Sequence, residues 1–200
     1  MGISIEEMKR DEIGEVVGVY NRCLGCKDQS IGEELSKWSD DNTGIFLVAK
    51  DGGEIIGIKL AHIEGEVCIG KGLAVEKEYR GMGVGTKLIQ EFKERLKEYP
   101  NLKQYVFASA TNEGIPFHIK MGYVPKVFIQ FKEEGIRESI SPEGYILEED
   151  IFNNDYDVYQ LTFVPKDGEL NLNSLKELES LYPDLDISFL FSENFNKIEN

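Results

Sequence analysis

The stretch Leu73-Ala-Val-Glu-Lys-Glu-Tyr-Arg80-Gly-Met-Gly-Val-Gly-Thr86 constrains the fold of this chain more than any other. It opens as an apolar strand through Leu73 and Val75, breaks at a charged turn, and sets glycines at alternate positions 81, 83 and 85. Val84, Leu88, Ile89, Phe92 and Leu96 then recur at helical spacing. A strand, a glycine turn and a helix start together form an anion site. The first-turn N–H groups have no partner inside the helix, and the peptide dipoles add partial positive charge there. A Cβ in such a turn would hold a phosphate oxygen away from the backbone, which is why glycine is needed.

The P-loop pattern Gly-x-x-x-x-Gly-Lys-[Ser/Thr] cannot be laid on these residues. The dinucleotide pattern Gly-x-Gly-x-x-Gly fails too, because from Gly81 its third glycine falls on Thr86. What fits is Arg80-x-x-Gly83-x-Gly85 behind a Leu-Ala-Val strand, and in this the chain resembles the GNAT superfamily of acyl-CoA-dependent N-acyltransferases. The resemblance covers residues 3–164. It implies that Arg80, Gly81, Met82, Gly83, Val84, Gly85 and Thr86 bind the pyrophosphate and pantetheine of coenzyme A. It also implies that the backbone of Leu73, Ala74 and Val75 pairs with the pantetheine amides. The fold class it implies is α/β (α+β by some schemes). The expected architecture is a mixed, mostly antiparallel central sheet of six or seven strands with helices on both faces.

The order of elements agrees with that expectation. Ile3 and Ile5 mark a short first strand, and Ile13, Val16, Val17, Tyr20 and Leu24 a helix with Asp11 as N-cap. Ser30-Ile-Gly-Glu33 reads as a capping box opening a second helix with Ile31, Leu35 and Trp38 on one face. Residues 44–49, a turn at Asp51-Gly52-Gly53, residues 54–63 and residues 66–75 give three successive antiparallel strands. In the last of these, alternation puts Val67, Ile69, Lys71, Leu73 and Val75 on one face and the small Cys68, Gly70, Gly72 and Ala74 on the other. Interior glycines mark close approach or a bulge; in the resembled family this strand bulges and splays to admit pantetheine.

A strand at residues 104–110 follows the glycine-turn helix, and Pro116 limits the next helix to a short one ending at Gly122. Asn112, Phe117-His118 and Gly122-Tyr123 resemble the family's second signature. By that resemblance Asn112 binds the cofactor, and His118 stands where a tyrosine often protonates the departing thiolate. Residues 123–131 and 158–164 read as strands joined by an acidic, irregular segment, residues 133–156. Residues 166–200 read as a helix-strand extension, capped near Asn173, that packs on the 1–165 domain or on a second subunit.

Composition narrows the partners. The net charge of −15 argues against nucleic acid, which needs a basic footprint. Residues 71–126 hold 10 Lys+Arg against 6 Asp+Glu, while the rest of the chain holds 12 against 31, so the anion-site stretch is a positive island. No run of eighteen apolar residues spans a membrane and no signal peptide opens the chain, so a cytoplasmic protein is expected. Cys23 and Cys26, with Cys68, lack the ligands of a zinc site and read as reduced thiols; no metal is expected.

N-acyl transfer needs an unprotonated amine at the thioester, a donor for the developing oxyanion and a proton for the leaving sulfur. A backbone N–H near Val75 suits the second role and His118 the third. For the base, Glu66, Glu64 and His62 gather around one turn, with Glu66 taken as the candidate, His62 read as a surface strand histidine and ordered water as the alternative. The chain is thus expected to be an acetyl-CoA-dependent N-acetyltransferase acting on a primary amine, a small cation or a peptide, and forming a possible homodimer. A non-catalytic acyl-CoA-binding module and a regulatory subunit are the competing classes.

Overall fold

The computed structural model describes residues 2–25, 30–109, 111, 113–154 and 157–195. The chain divides into two compact units, residues 1–105 with 194–200, and residues 106–193.

The first unit runs β1 (Ser4–Glu7), a 3-10 turn (Arg10–Glu12), α1 (Ile13–Leu24), α2 (Ile31–Asp40), β2 (Gly44–Asp51), β3 (Glu54–Glu64), β4 (Val67–Val75), a second 3-10 turn (Lys77–Tyr79) and α3 (Val84–Leu96). Strands β1 to β4 lie side by side in sequence order, each pair antiparallel. Gly52 and Gly53, at φ +61° and +98°, supply the left-handed backbone that lets β2 turn directly into β3. Ser30 stands at the start of α2, but its hydroxyl meets the Glu34 carboxylate, so the expected Ser30/Glu33 box does not form.

Strand β3 shows how the layers are built. A Cβ on Gly57 would approach Val84 and Leu88 of α3, so the odd face of β3 lies under that helix. Ile58 and Leu60, on the even face, join Val16, Val19 and Tyr20 of α1 and Ile31 and Leu35 of α2 in one apolar cluster. Helices therefore cover both faces, and burying branched side chains at ~25 cal/mol per Å² against each is what holds the layers together.

The β3–β4 register contains the bulge that the small residues anticipated. Leu60 pairs with Gly72 and Ala61 with Gly70, leaving Lys71 as the extra residue. One inserted residue reverses the alternation beyond it. Gly72 and Ala74 therefore share the α1 side with Ile69 and Lys71, whereas Leu73 moves to the side of Cys68 and Gly70. The strict two-face division expected from the sequence is corrected accordingly. Gly72 lies close under α1: a Cβ there would come within 3.0 Å of Tyr20 and 3.2 Å of Leu24.

Strand β5 (Gln104–Ser109) begins in the first unit and ends in the second. The second unit continues with α4 (Gly114–Lys120), β6 (Val124–Phe131), a 3-10 turn (Glu134–Ser139), β7 (Tyr145–Asn153), β8 (Val158–Pro165), α5 (Leu172–Leu181) and β9 (Asp186–Asn194). The neighbours run β9-β6-β8-β7, all antiparallel. Nine strands are present among the described residues, against the six or seven expected. The acidic segment read as irregular contains β7, and the tail contributes β9. That strand pairs along β6 from Val124 opposite Ser192 to Gln130 opposite Asp186, so the tail is built into the sheet of this unit. Among the described residues no helix is long and apolar enough to cross a membrane.

Candidate active site

Helix α3 opens on Gly83, at φ +83°, two residues after Gly81 at +78°. Side chains rarely adopt that backbone, and a Cβ on either glycine would meet no heavy atom within 4 Å, so the inner side of the turn is open. No side chain caps the helix. The first bond that closes it runs from the Lys87 N–H to the Gly83 carbonyl at 3.0 Å. The N–H groups of Val84, Gly85 and Thr86 precede that bond and have no acceptor within the helix. Uncapped donors, a dipole end and an open cradle fit a pyrophosphate. The turn is braced from behind: Arg80 Nε donates to the Val75 carbonyl at 3.0 Å, tying the motif's arginine to the end of β4. Met82 stands exposed at the tip.

The sequence-predicted residues divide as follows. Leu73, Ala74, Val75 and positions 80–86 lie on one continuous β4-turn-α3 unit within the first compact unit. Asn112 and Cys26 lie outside the described residues. Glu66 sits in the β3–β4 turn, where its carbonyl accepts from the Lys103 N–H at 2.8 Å and its exposed carboxylate pairs with the Lys103 ammonium. His118 is buried in the second unit, with Phe107 at 4.5 Å, Phe191 at 5.3 Å, Phe117 at 5.4 Å and Tyr123 at 6.1 Å between ring centroids.

His62 is a correction. It is not a surface residue but only 2% exposed, with its ring stacked on Trp38 at 4.1 Å and 2° between planes. Its Nε2 lies 2.7 Å from Glu64 Oε1, and its buried Nδ1 has no hydrogen-bond partner among the described residues. Apolar periodicity put Trp38 on the inner face of α2, but only the packing of α2 on β3 shows that it meets His62.

Sequence reasoning missed Lys59. It is fully buried on the α3 side of β3, its Nζ 4.5 Å from the Phe92 ring centroid and 5.3 Å from that of Tyr105. Among the described residues its Nζ donates one hydrogen bond, to the Leu60 carbonyl at 3.1 Å. Burial pushes its pKa down to about 7. The signal was available in Ile55-Ile-Gly-Ile-Lys-Leu-Ala61, an apolar run with a single lysine inside it. Cys23, at the end of α1, has its Sγ 3.5 Å from Glu76 Oε2, and burial followed by that carboxylate pushes its thiol pKa up, consistent with an unreactive cysteine. Among the described residues no group of three or more His, Cys, Asp or Glu side chains is placed to hold a metal ion.

Comparison with known proteins follows the same geometry. Residues 42–125, which include β2 to β4, the glycine turn, α3 and α4, match the acetyltransferase (GNAT) domain family. An acetyltransferase of Sodalis glossinidius, SG1711, is 25% identical over 95 residues, 47% of this chain and 67% of that protein. Among solved structures, a GNAT-family acetyltransferase of Elizabethkingia anophelis with bound acetyl-CoA superposes with a TM-score of 0.54 at 14% identity, covering 96% of this chain and 98% of that one. The PaiA N-acetyltransferase of Thermoplasma acidophilum, in complex with coenzyme A, gives 0.52 at 14% identity over 98% and 100%. At such identities the structures speak for the fold. The family match across the β4-turn-α3 unit and the shared fold agree: residues 42–125 of this chain are similar to the GNAT superfamily, a class of acetyltransferases.

Proposed function

We propose that this protein transfers an acetyl group from acetyl-CoA to a primary amine in a ternary complex, with a small cationic amine as acceptor. The observation that carries the reading is the open, uncapped start of α3 at left-handed Gly81 and Gly83, directly behind the bulged strand β4. Val84, Gly85 and Thr86 N–H groups hold the pyrophosphate, and β4 from Leu73 to Val75 aligns the pantetheine so that the thioester meets the acceptor. The amine attacks the thioester carbonyl carbon, a C–N bond forms, the C–S bond breaks, and the thiolate leaves with a proton. The cationic acceptor rests on the charge distribution, an acidic chain around a positive island at residues 71–126.

Release of free thiol from acetyl-CoA over a panel of amines tests the whole reading. Transfer to cationic amines, with acceptor affinity weakening as the Debye length drops from about 10 Å at 0.1 M salt to about 3 Å at 1 M, is the expected result. Calorimetric binding of coenzyme A without thiol release for any amine would instead identify a binding module.

His118 is proposed as the proton donor to the leaving thiolate. His118→Phe preserves the aromatic packing around Phe107 and Phe191 and should leave coenzyme A binding intact. Turnover should fall by no more than about 100-fold, because thiolate is already a fair leaving group. An acid must be protonated to act, so wild-type turnover should decline at higher pH and the variant should lack that limb. Equal turnover at every pH would leave His118 with a packing role only.

A further inference from the structure

The turn between β4 and α3 is tied to α1 by side chains outside the glycine motif. Glu76 follows directly on β4, where its N–H donates to the Ile56 carbonyl at 2.9 Å and its carbonyl accepts from the Tyr79 N–H at 2.9 Å. Its carboxylate reaches the last turn of α1. Oε1 accepts from Arg22 Nε at 3.1 Å and Nη2 at 2.7 Å, and Oε2 lies 3.5 Å from Cys23 Sγ. Both carboxylate oxygens are thus held from the helix. A glycine makes room for this. A Cβ on Gly18, one helical turn before Arg22, would come within 3.0 Å of Arg22 Nη1, so the guanidinium lies back along α1 over that position. Glycine inside a helix is unfavourable relative to alanine, so the local sequence works against the helix at the point where the guanidinium needs space.

We infer that Glu76 is a positioning residue for the cofactor turn. Held by Arg22 and Cys23, it fixes how the chain leaves β4, and with that the aim of the Val84, Gly85 and Thr86 N–H groups at the pyrophosphate. The inference rests on the acetyl-CoA reading proposed above. Reach is the first reason. Only residues 77–83 separate Glu76 from the start of α3, and they are braced internally, Arg80 N–H to the Lys77 carbonyl at 3.3 Å and Met82 N–H to the Tyr79 carbonyl at 3.4 Å. A displacement at Glu76 is therefore passed on to Gly83. Exposure is the second. The Arg22 side chain is 61% exposed and that of Glu76 21%, and a pair this open adds little to folding, so its effect is local. The third is sign. A carboxylate in a turn built for an anion opposes that anion by charge, so electrostatics and positioning predict opposite results when it is neutralised.

Calorimetric titration of the full chain with coenzyme A separates the two. Glu76→Gln keeps the side-chain shape and removes the charge. Lost repulsion alone would tighten coenzyme A, whereas loss of the Arg22 clamp should weaken it about 10-fold. In turnover, KM for acetyl-CoA should rise by the same factor, with kcat and the KM for the amine unchanged. Arg22→Glu combined with Glu76→Arg rebuilds the pair with its charges exchanged and should recover most of the affinity. Gly18→Ala should raise the denaturant midpoint, because alanine favours the helix, and yet weaken coenzyme A about 3-fold by displacing the guanidinium. A bridge that only holds the fold together would not move stability and affinity in opposite directions. Asp40→Asn, which weakens the exposed Arg10–Asp40 pair elsewhere in this unit, should leave coenzyme A affinity as it was. Unaltered or tighter binding in Glu76→Gln overturns the positioning role, and so does unaltered affinity in Gly18→Ala. If coenzyme A binds as described but no amine is acetylated, the proposed function fails and the positioning role stands. If the wild type acetylates amines and Glu76→Gln keeps its KM for acetyl-CoA, the function stands and the positioning role falls.

Discussion

Two lysines buried in the same sheet mark two regions with opposite electrostatics. Lys50, on β2 beside the edge strand β1, holds Glu12 Oε1 at 2.6 Å and Glu6 Oε2 at 3.0 Å. Its pKa is raised, chiefly by the bond to Glu12 and then by that to Glu6. Lys59, on β3 under α3, has no ion pair among the described residues, and burial lowers it to about 7. The difference is one of reach. At the edge, a 3-10 turn and a short strand bring carboxylates over the sheet, whereas at the centre Lys59 meets the Phe92 and Tyr105 rings and the field of the Cys68 thiol. Burial pushes that thiol up to about 12 as well. A buried cation is kept either by a partner or by giving up its charge. In the central region burial favours the second course, beneath the helix whose start is the candidate phosphate site.

The largest effect expected in that central region is at the head of α3. Gly83 is a poor place to test it, because any side chain at φ +83° strains the turn whether or not a ligand is there. Gly85 is not among the left-handed glycines. In a first helical turn an aspartate is favourable for the helix but repels phosphate. Gly85→Asp should therefore weaken coenzyme A about 100-fold, ~2.7 kcal/mol, while chemical unfolding shifts by less than about 0.5 kcal/mol. Unaltered calorimetric affinity would remove the turn from the site.

Lys59→Met comes next. Replacing a buried amine by a thioether of similar length should stabilise the first unit by about 2 kcal/mol at pH 7. The sign of the pH dependence follows from proton counting. Between a folded value of about 7 and the ordinary 10.5, the unfolded chain holds a proton that the folded chain does not, so stability rises with pH across this window and is flat below it. Cys68 acts in the opposite sense above its ordinary 9.0, so the comparison belongs between pH 7 and 9. Denaturant midpoints should climb over that range in the wild type and stay level in Lys59→Met; parallel curves would mean that Lys59 keeps its charge.

What was legible in the sequence follows the same division. The glycine turn, the helix behind it and the bulged strand could be read because they are local: Gly81, Gly83 and the small residues of β4 report backbone geometry at their own positions. The paired strands β7 and β9 were harder, since β7 is exposed on both faces and carries no alternation, and the place of β9 beside β6 depends on long-range pairing. Trp38 and His62 belong to the same class: each is ordinary for its helix or strand, and only the opposing layer decides whether its neighbour is a ring, a carboxylate or water. Lys59 differs, since a lone lysine in an apolar run marks burial, though not which rings it meets.

The smallest effect belongs to the edge. Lys50→Met removes a cation that Glu12 and Glu6 both contact; Lys50 and Glu12 are largely buried, but Glu6 leaves the cluster open to solvent at the sheet edge, and a pair open on one side is worth about 1 kcal/mol. The loss should be confined by pH. The bond from Lys50 holds the Glu12 carboxyl below its ordinary 4.5, so the folded chain releases that proton more readily than the unfolded one. Stability from this pair is therefore complete above the ordinary value and disappears as pH falls through the lowered one. Lys50→Met should cost stability at pH 7, cost progressively less toward pH 3, and leave the pH 7 to 9 window with the wild-type slope that Lys59 imposes. Midpoints from denaturant titrations at pH 3, 7 and 9 check all three. A Lys50→Met variant that gains stability at neutral pH, as Lys59→Met should, would erase the distinction between the partnered lysine and the unpartnered one.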